Sequence, residues 1–223
     1  MPEYSFNGAA EAHEAITKKS RRVLLRPIGR ADYPKFFEWR ADADNLHLWS
    51  SRRKIPTWEQ FVAEFEADLH TTVTLLILRK RNRQPIGFLQ AYNLNQADGW
   101  TYILEYLVPE ARIAGSGAEA LLLFGEYLFG YFPLRKLYAE VYEYNDYVLR
   151  GLVKAGFSEE GRSLRHVWHG DRYWDLVHLG YFREEWERLR PHIHRILAIE
   201  DDIDKVLNSR VEAGTLWHGA ASE

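Results

Sequence analysis

Apolar residues recur along the chain in two periods, and the switches between them mark out its elements. Arg22–Ile28 (RVLLRPI) is a short apolar run stopped by Pro27 and Gly29, which predicts a strand. Asp32 then offers an N-cap and Pro34 falls in the first turn, while Phe36, Phe37 and Trp39 form an apolar helical face. Thr57 and Gln60 have the spacing of a capping box, with Phe61, Val62, Phe65 and Leu69 following at helical intervals, so a second helix is predicted from Trp58 to Leu69. From Thr72 the period becomes that of strands. Thr72–Arg79, Ile86–Leu94 and Trp100–Val108 are separated by the turn-like segments RNRQ and NQADG, which predicts an antiparallel meander.

A helix from about Gly117 to Gly130 comes next, then a strand over Lys136–Tyr144. Asn145 is expected to cap a helix through Leu152, with Gly156 beyond its end. Arg165–His169 and Arg172–Leu179 flank Gly170 and Asp171 as a hairpin. The last helical stretch, Glu184 to Ser209, is expected to break at Pro191. Its stripe of Trp186, Leu189, Ile193, Ile196, Leu197, Ile203 and Leu207 must be covered by this domain or by a second copy, and a homodimer is the second of these two options. The order predicts a mixed α/β (α+β-like) protein with a largely antiparallel sheet and one strand–helix–strand crossover. Its expected parts are a tail over 1–20, one domain over 21–186, a C-terminal helical extension over 187–210 and a second tail over 211–223.

Composition narrows the chemistry. The 223 residues carry 29 Lys+Arg against 32 Asp+Glu, a net charge of −3, which leaves no electrostatic footprint for nucleic acid. With no cysteine, a disulfide scaffold, a thiolate metal site and a cysteine nucleophile are excluded. No apolar stretch approaches the ~20 residues of a membrane helix, and the N-terminus lacks the order of a secretory signal. A soluble, cytoplasmic protein without nucleic-acid or membrane partners is expected. His166 and His169 have opposite strand parity, and His192 and His194 do not share a helical face, so no metal site is expected. His178, near the end of the last strand, reads as a polar residue of the core in preference to one of a pocket. Eight Trp and thirteen Tyr are mostly core material, with a few left over to wall a pocket.

The most informative segment is Leu107–Gly117, LVPEARIAGSG. A strand ends at a proline, a loop with two glycines follows, and a helix begins at once. Such a turn lets successive backbone N–H groups converge at a positive helix end, which suits a diphosphate. There is no Walker motif, and a G-x-G-x-x-G reading fails at Ala120. Glu105 sits in an apolar strand, where a carboxylate is costly unless paired or used; it reads as a general base or an amine anchor, or as a paired Glu on a solvated edge.

Arg112-x-x-Gly115-x-Gly117 resembles the acyl-CoA signature of the GNAT N-acetyltransferase superfamily, [Q/R]-x-x-G-x-[G/A]. Asn145 with Lys154-Ala155-Gly156-Phe157 is similar to the family's second segment, and Gly170, Asp175 and Trp186 resemble the tail of its RimJ/RimL-type branch. The similarity covers Val23 to Trp186. It implies a GNAT-type seven-stranded sheet flanked by helices, and acyl transfer from acetyl-CoA or another acyl-CoA to an amine by direct attack. The acceptor is then a small molecule or a protein N-terminus. A CoA-binding or protein-interaction module without turnover is the alternative.

The resemblance also implies roles. The Leu107 N–H would polarise the thioester carbonyl. Arg112, Ala114, Gly115, Ser116, Gly117 and Ala118 would hold the diphosphate, with Asn145 as a further coenzyme contact. Trp49, Arg52 and Tyr102 are assigned to the acceptor pocket, beside Arg53. The tyrosine that commonly protonates the leaving thiolate is replaced by Leu152, and a serine of the RimJ/RimL branch by Val148. Tyr147 is taken as the candidate acid, with Tyr144 and Tyr142 nearby as substitutes, or no acid is needed because a CoA thiolate is already a tolerable leaving group.

Overall fold

The computed structural model describes residues 18–49, 54–112 and 115–197. Eight strands form one sheet: β1 (Lys18–Lys19), β2 (Val23–Pro27), β3 (Val73–Arg79), β4 (Pro85–Asn95), β5 (Trp100–Leu107), β6 (Lys136–Tyr142), β7 (Ser158–His169) and β8 (Arg172–Phe182). Their spatial order is β1-β2-β3-β4-β5-β6-β8-β7. Every neighbouring pair is antiparallel except β5–β6, which is parallel and joined through a crossover helix. The eighth strand beyond the expected seven is β1, two residues at an edge inside the stretch read as a tail. Residues 1–17 of that tail lie outside the described residues.

Six helices flank the sheet: α1 (Tyr33–Ala41), α2 (Ala43–Trp49), α3 (Trp58–Thr71), α4 (Ser116–Tyr131), α5 (Asp146–Lys154) and α6 (Arg183–Leu197). Strand alternation divides the core into two clusters. Val23, Leu25, Leu75, Ile77, Leu89, Ile103, Val177 and Leu179 point toward α4 and α6. Leu24, Leu76, Leu78, Phe88 and Tyr106 point the other way, into the aromatic side chains of α1 and α3. The central strands are therefore apolar on both faces, which explains the uninterrupted run TVTLLILR.

Local sequence signals are realised in most places. Thr57 Oγ1 accepts from the Gln60 N–H, and the Gln60 side chain accepts from the Thr57 N–H, completing the predicted box. Asp32 precedes α1 as expected but does not cap it with its side chain. Its carboxylate takes both arms of the Arg26 guanidinium, each at 2.7 Å, and the Gly29 N–H at 2.9 Å. This fork ties the end of β2 to the start of α1. The hairpin around Gly170 is longer than its apolar pattern. β7 begins at Ser158 because the segment SEEGRS, on the sheet's exposed edge, has no apolar face to betray it. The helix α2 was not foreseen between the first two predicted helices.

The C-terminal helix corrects one expectation and decides between two others for the described part of its stripe. It runs through Pro191 without a break, and its stripe packs on this domain: Trp186, Ile193 and Leu197 are buried in the same cluster as α4. Trp186 lies flat against Gly125, where a Cβ would come within 2.7 Å of the indole. Glu126 of α4, almost fully buried, is held by Arg190 Nε at 2.7 Å and His194 Nε2 at 2.8 Å. Burial alone would raise its carboxyl, but the hydrogen bonds from Arg190 and His194 outweigh that and hold it below the usual range. Arg183, at the start of α6, donates to the carbonyls of Phe129, Phe132 and Leu134 and so satisfies the C-terminal end of α4. α6 is thus part of the domain, not an appendage to it; residues 198–223 lie outside the described residues. Trp186→Ala is expected to lower stability by about 3 kcal/mol in urea unfolding, the cost of a large buried ring; a loss under about 1 kcal/mol would mean that α6 is peripheral.

Candidate active site

The site is built where the sheet comes apart. β5 and β6 pair over only three positions, Trp100↔Lys136, Thr101↔Leu137 and Tyr102↔Tyr138. Beyond these, β5 stays with β4 as far as Gly87↔Leu107, and β6 stays with β8 as far as Tyr142↔Leu176. A gap opens between them. The Val108 N–H donates to the Ile86 carbonyl at 2.9 Å, so ladder alternation turns the backbone groups of Leu107 and Glu105 away from β4 and into the gap. The Leu107 carbonyl accepts from Arg112 Nε at 3.0 Å, which leaves its N–H as the donor facing the opening.

The turn after β5 closes one end of this gap. A single 3-10 turn over Pro109–Ala111 leads toward Gly115, which precedes α4 with φ +72°, a conformation that side-chain-bearing residues rarely adopt. Gly117 is required by crowding. A Cβ there would sit 2.7 Å from Leu107 Cδ1 and 3.2 and 3.3 Å from the two carboxylate oxygens of Glu105. The first turn of α4 (Ser116, Gly117, Ala118) therefore abuts the end of β5, with its amide groups at the positive helix end.

Arg22, which sequence reasoning did not single out, also reaches this turn. Its guanidinium comes within 3.7 Å of where a Gly115 Cβ would stand. It is fixed by Glu119 of α4, which takes Arg22 Nη1 at 2.5 Å, the Arg22 N–H at 2.9 Å and the Ser20 hydroxyl at 2.6 Å. Those partners are 97 and 99 residues apart in sequence, so no local pattern announces them. Arg112 spends its Nε on the strand, and its carbonyl accepts from the Tyr147 hydroxyl at 3.0 Å. Tyr147 thus stands at the mouth of the loop, largely exposed. Leu152, Val148 and Asn145 line the cleft itself.

Glu105 lies on the α4 face of the gap. Water reaches it through the mouth of the cleft, yet protein atoms crowd the carboxylate elsewhere, and this dehydration pushes the carboxyl up to about 8. The opposite face carries Tyr102, stacked between Tyr92 at 5.4 Å and Tyr138 at 5.2 Å between ring centres. Tyr102 adjoins the cleft without lining it. Burial and the nearby Glu140 raise the Tyr92 hydroxyl well above the usual range. The whole cleft holds about 1310 Å3 and runs from the α4–α5 side through the gap to the α1–α3 side. Its far mouth is lined by Glu64 and Asp68 of α3 and by Glu140 and Tyr142 of β6, while His166, Val167 and Trp168 of β7 also border the cleft.

Other expected residues are placed as follows. Trp49 is the last residue of α2, while Arg52, Arg53 and Ala114 lie outside the described residues. Among the described residues no group of His, Asp and Glu is arranged to hold a metal ion. His169 stacks on the His47 ring at 4.5 Å and on Tyr144 at 4.2 Å. His178 is not a core residue: it is partly exposed and bridges Glu140 and Ser163. Among the described residues no helix is long and apolar enough to cross a membrane.

Comparison with known proteins agrees with this geometry. Residues 22–158 match the acetyltransferase (GNAT) domain. An uncharacterized N-acetyltransferase of Bacillus subtilis strain 168, YokL of the SPbeta prophage, is 24% identical over 145 residues, 65% of this chain and 78% of its own. The spermidine N-acetyltransferase of Vibrio cholerae, solved with CoA and spermine, superposes with a TM-score of 0.65 at 15% identity over 74% of this chain and 98% of its own. A GCN5-related N-acetyltransferase from Brucella melitensis superposes with a TM-score of 0.67 at 19% identity, over 80% and 84%. The domain match spans more than half of the chain, and the parted strands and glycine turn are what acyl-CoA binding requires: the chain belongs to the GNAT family and is an acetyl-CoA-dependent N-acetyltransferase.

Proposed function

We propose that this enzyme, a member of the RimJ/RimL-type branch, acetylates a small di- or polyamine in a ternary complex with acetyl-CoA. The observation that carries the reading is the gap between β5 and β6, flanked by a glycine turn on one face and by carboxylates and rings on the other. Acetyl-CoA supplies the activated acyl group. The residues present fit it: Gly115 and Gly117 leave room at the helix end, Arg22 and the amides of Ser116, Gly117 and Ala118 offer donors to phosphate, and Asn145 lines the cleft beyond. The Leu107 N–H, aimed into the gap, is suited to an oxygen that gains negative charge during transfer, a role worth ~3 kcal/mol.

Glu105 handles the proton on the coenzyme side. With its carboxyl near 8, it is balanced between acid and base at the pH of the cell, so it can take a proton from the acylated nitrogen and return it to the departing sulfur. That exchange supplies the acid absent at Leu152. Tyr147, bonded to the Arg112 carbonyl, serves the loop in this scheme. The acceptor class rests on the far mouth. Glu64, Asp68 and Glu140 favour a cation, and Tyr142 favours its alkyl chain and ammonium. The Vibrio cholerae enzyme of the same fold was solved with spermine.

Free-thiol release from acetyl-CoA with a panel of amines tests the assignment. Spermidine and putrescine are expected to exceed butylamine and an N-terminal peptide by at least about tenfold in kcat/KM, as for one added ion pair in a partly desolvated site; butylamine turning over as well as spermidine would remove the second cation from the recognition. Glu105→Gln is expected to lower kcat about a hundredfold. Ionisation of Glu105 grows as pH rises, so wild-type activity should climb to a bend near pH 8 that the variant lacks; a bend that survives in the variant belongs to another group. Gly115→Val is expected to weaken CoA binding about tenfold or more by calorimetry, because a β-branched residue strains at positive φ. Unchanged affinity would locate the phosphates elsewhere.

A further inference from the structure

Three side chains form a line across the sheet, and none of them carries a proton in the transfer scheme above. Glu140, on β6, borders the gap on the face opposite Glu105. His178, its cross-strand neighbour on β8, brings Nδ1 within 3.3 Å of Glu140 Oε1. On the other side, His178 Nε2 lies 2.8 Å from Ser163 Oγ on β7, the strand at the edge of the sheet. One group from each of three adjacent strands thus leads from the cleft through an imidazole to the margin of the molecule. Glu140 and His178 are each about one-third exposed, 33% and 32%, so the line meets water at its cleft end and along its course. The ladders β6–β8 and β7–β8 already fasten these strands without side-chain help.

The chemistry of the reaction supplies a use for such a line. A primary amine arrives as an ammonium ion of pKa ~10 and must lose one proton to expose its lone pair. It loses a second when the C–N bond forms and the nitrogen becomes cationic again. As the C–S bond breaks, the sulfur takes one proton, so ammonium plus thioester gives amide, thiol and one proton released to solvent. Glu105 lies on the coenzyme face and can move the proton that ends on sulfur. It does not face the side from which the ammonium enters, where Glu140 stands.

We propose that Glu140, His178 and Ser163 form a proton relay that removes the first proton from the acceptor ammonium and delivers it to solvent at the β7 edge. The inference rests on the N-acetyltransferase reading of the cleft. The Glu140 carboxylate attracts the ammonium and accepts its proton. His178 takes that proton at Nδ1 and yields one from Nε2 to the Ser163 hydroxyl, which passes its own to water; exchange with water then resets the ring. On this face Lys136 and Glu160 are paired with each other, Tyr138 and Tyr142 flank Glu140 along β6, and the carboxylate facing the imidazole is that of Glu140. Arg162 and Asp175, also on β7 and β8, lie on the other face by strand parity.

The test follows kcat and KM for spermidine, or the fastest amine of the panel, from about pH 6 to about pH 10 in the wild type, His178→Ala and Ser163→Ala. His178→Ala is expected to lower kcat about tenfold or more near pH 7, with CoA affinity by calorimetry unchanged. The deficit should shrink as pH rises and free amine becomes plentiful, and added imidazole should restore part of the rate. Ser163→Ala should fall the same way by less. A purely structural role for His178 would not respond to imidazole. Equal rates at every pH, or a deficit that imidazole leaves untouched, overturn the relay and leave acetyl transfer standing. No turnover by the wild type on any amine overturns both. If His178→Ala does not fold, His178→Gln reads the same contrast, since an amide can bond Ser163 but cannot carry the proton.

Discussion

A parallel seam three residues long governs this molecule. β5 and β6 part after three pairs while each keeps its antiparallel partner, β4 or β8, along most of its length, so the edges they turn toward each other are left unpaired beyond the seam. The stack of Tyr92, Tyr102 and Tyr138 pins the closed end. Beyond it, backbone groups that a continuous sheet would have consumed are left facing an opening. Buried amide groups without partners are costly, so a gap of this kind persists in a fold when solvent or substrate completes it.

Helix α4 converts the gap into a site. Its first turn abuts the end of β5 through Gly117, and its two buried carboxylates anchor distant parts of the chain to it: Glu119 holds the β1–β2 turn with Arg22, and Glu126 holds α6. Its C-terminal carbonyls are satisfied by Arg183. The helix whose positive end faces the gap is therefore fixed at both ends and along its length, which is the preorganisation that electrostatic binding needs.

The two faces of the gap carry one carboxylate each, in different surroundings. Dehydration by surrounding protein atoms raises the Glu105 carboxyl, while Glu140 faces an imidazole on the other side of the sheet. Divergent environments for paired acids are how one cleft separates two proton transfers.

Much of this was legible in the chain. The capping box at Thr57, the meander, the proline-ended strand and the turn Arg112–Gly117 are written in neighbouring residues, because capping, turn geometry and strand alternation act over a few positions. The glycine turn and Glu105, read separately in the chain, lie side by side in the fold, where a Cβ on Gly117 would touch the Glu105 carboxylate. Arg22 beside Gly115, Glu140 beside His178, and α6 upon α4 were not legible, since each joins segments far apart and depends on which strands become neighbours. His178 is the clearest case: an imidazole in an apolar strand reads as core until β6 and β7 are set on either side of it. The order of residues determined the elements and the phosphate turn through short-range backbone chemistry. Strand order and register, decided by burial of two apolar faces at once, chose which side chains meet across the opening.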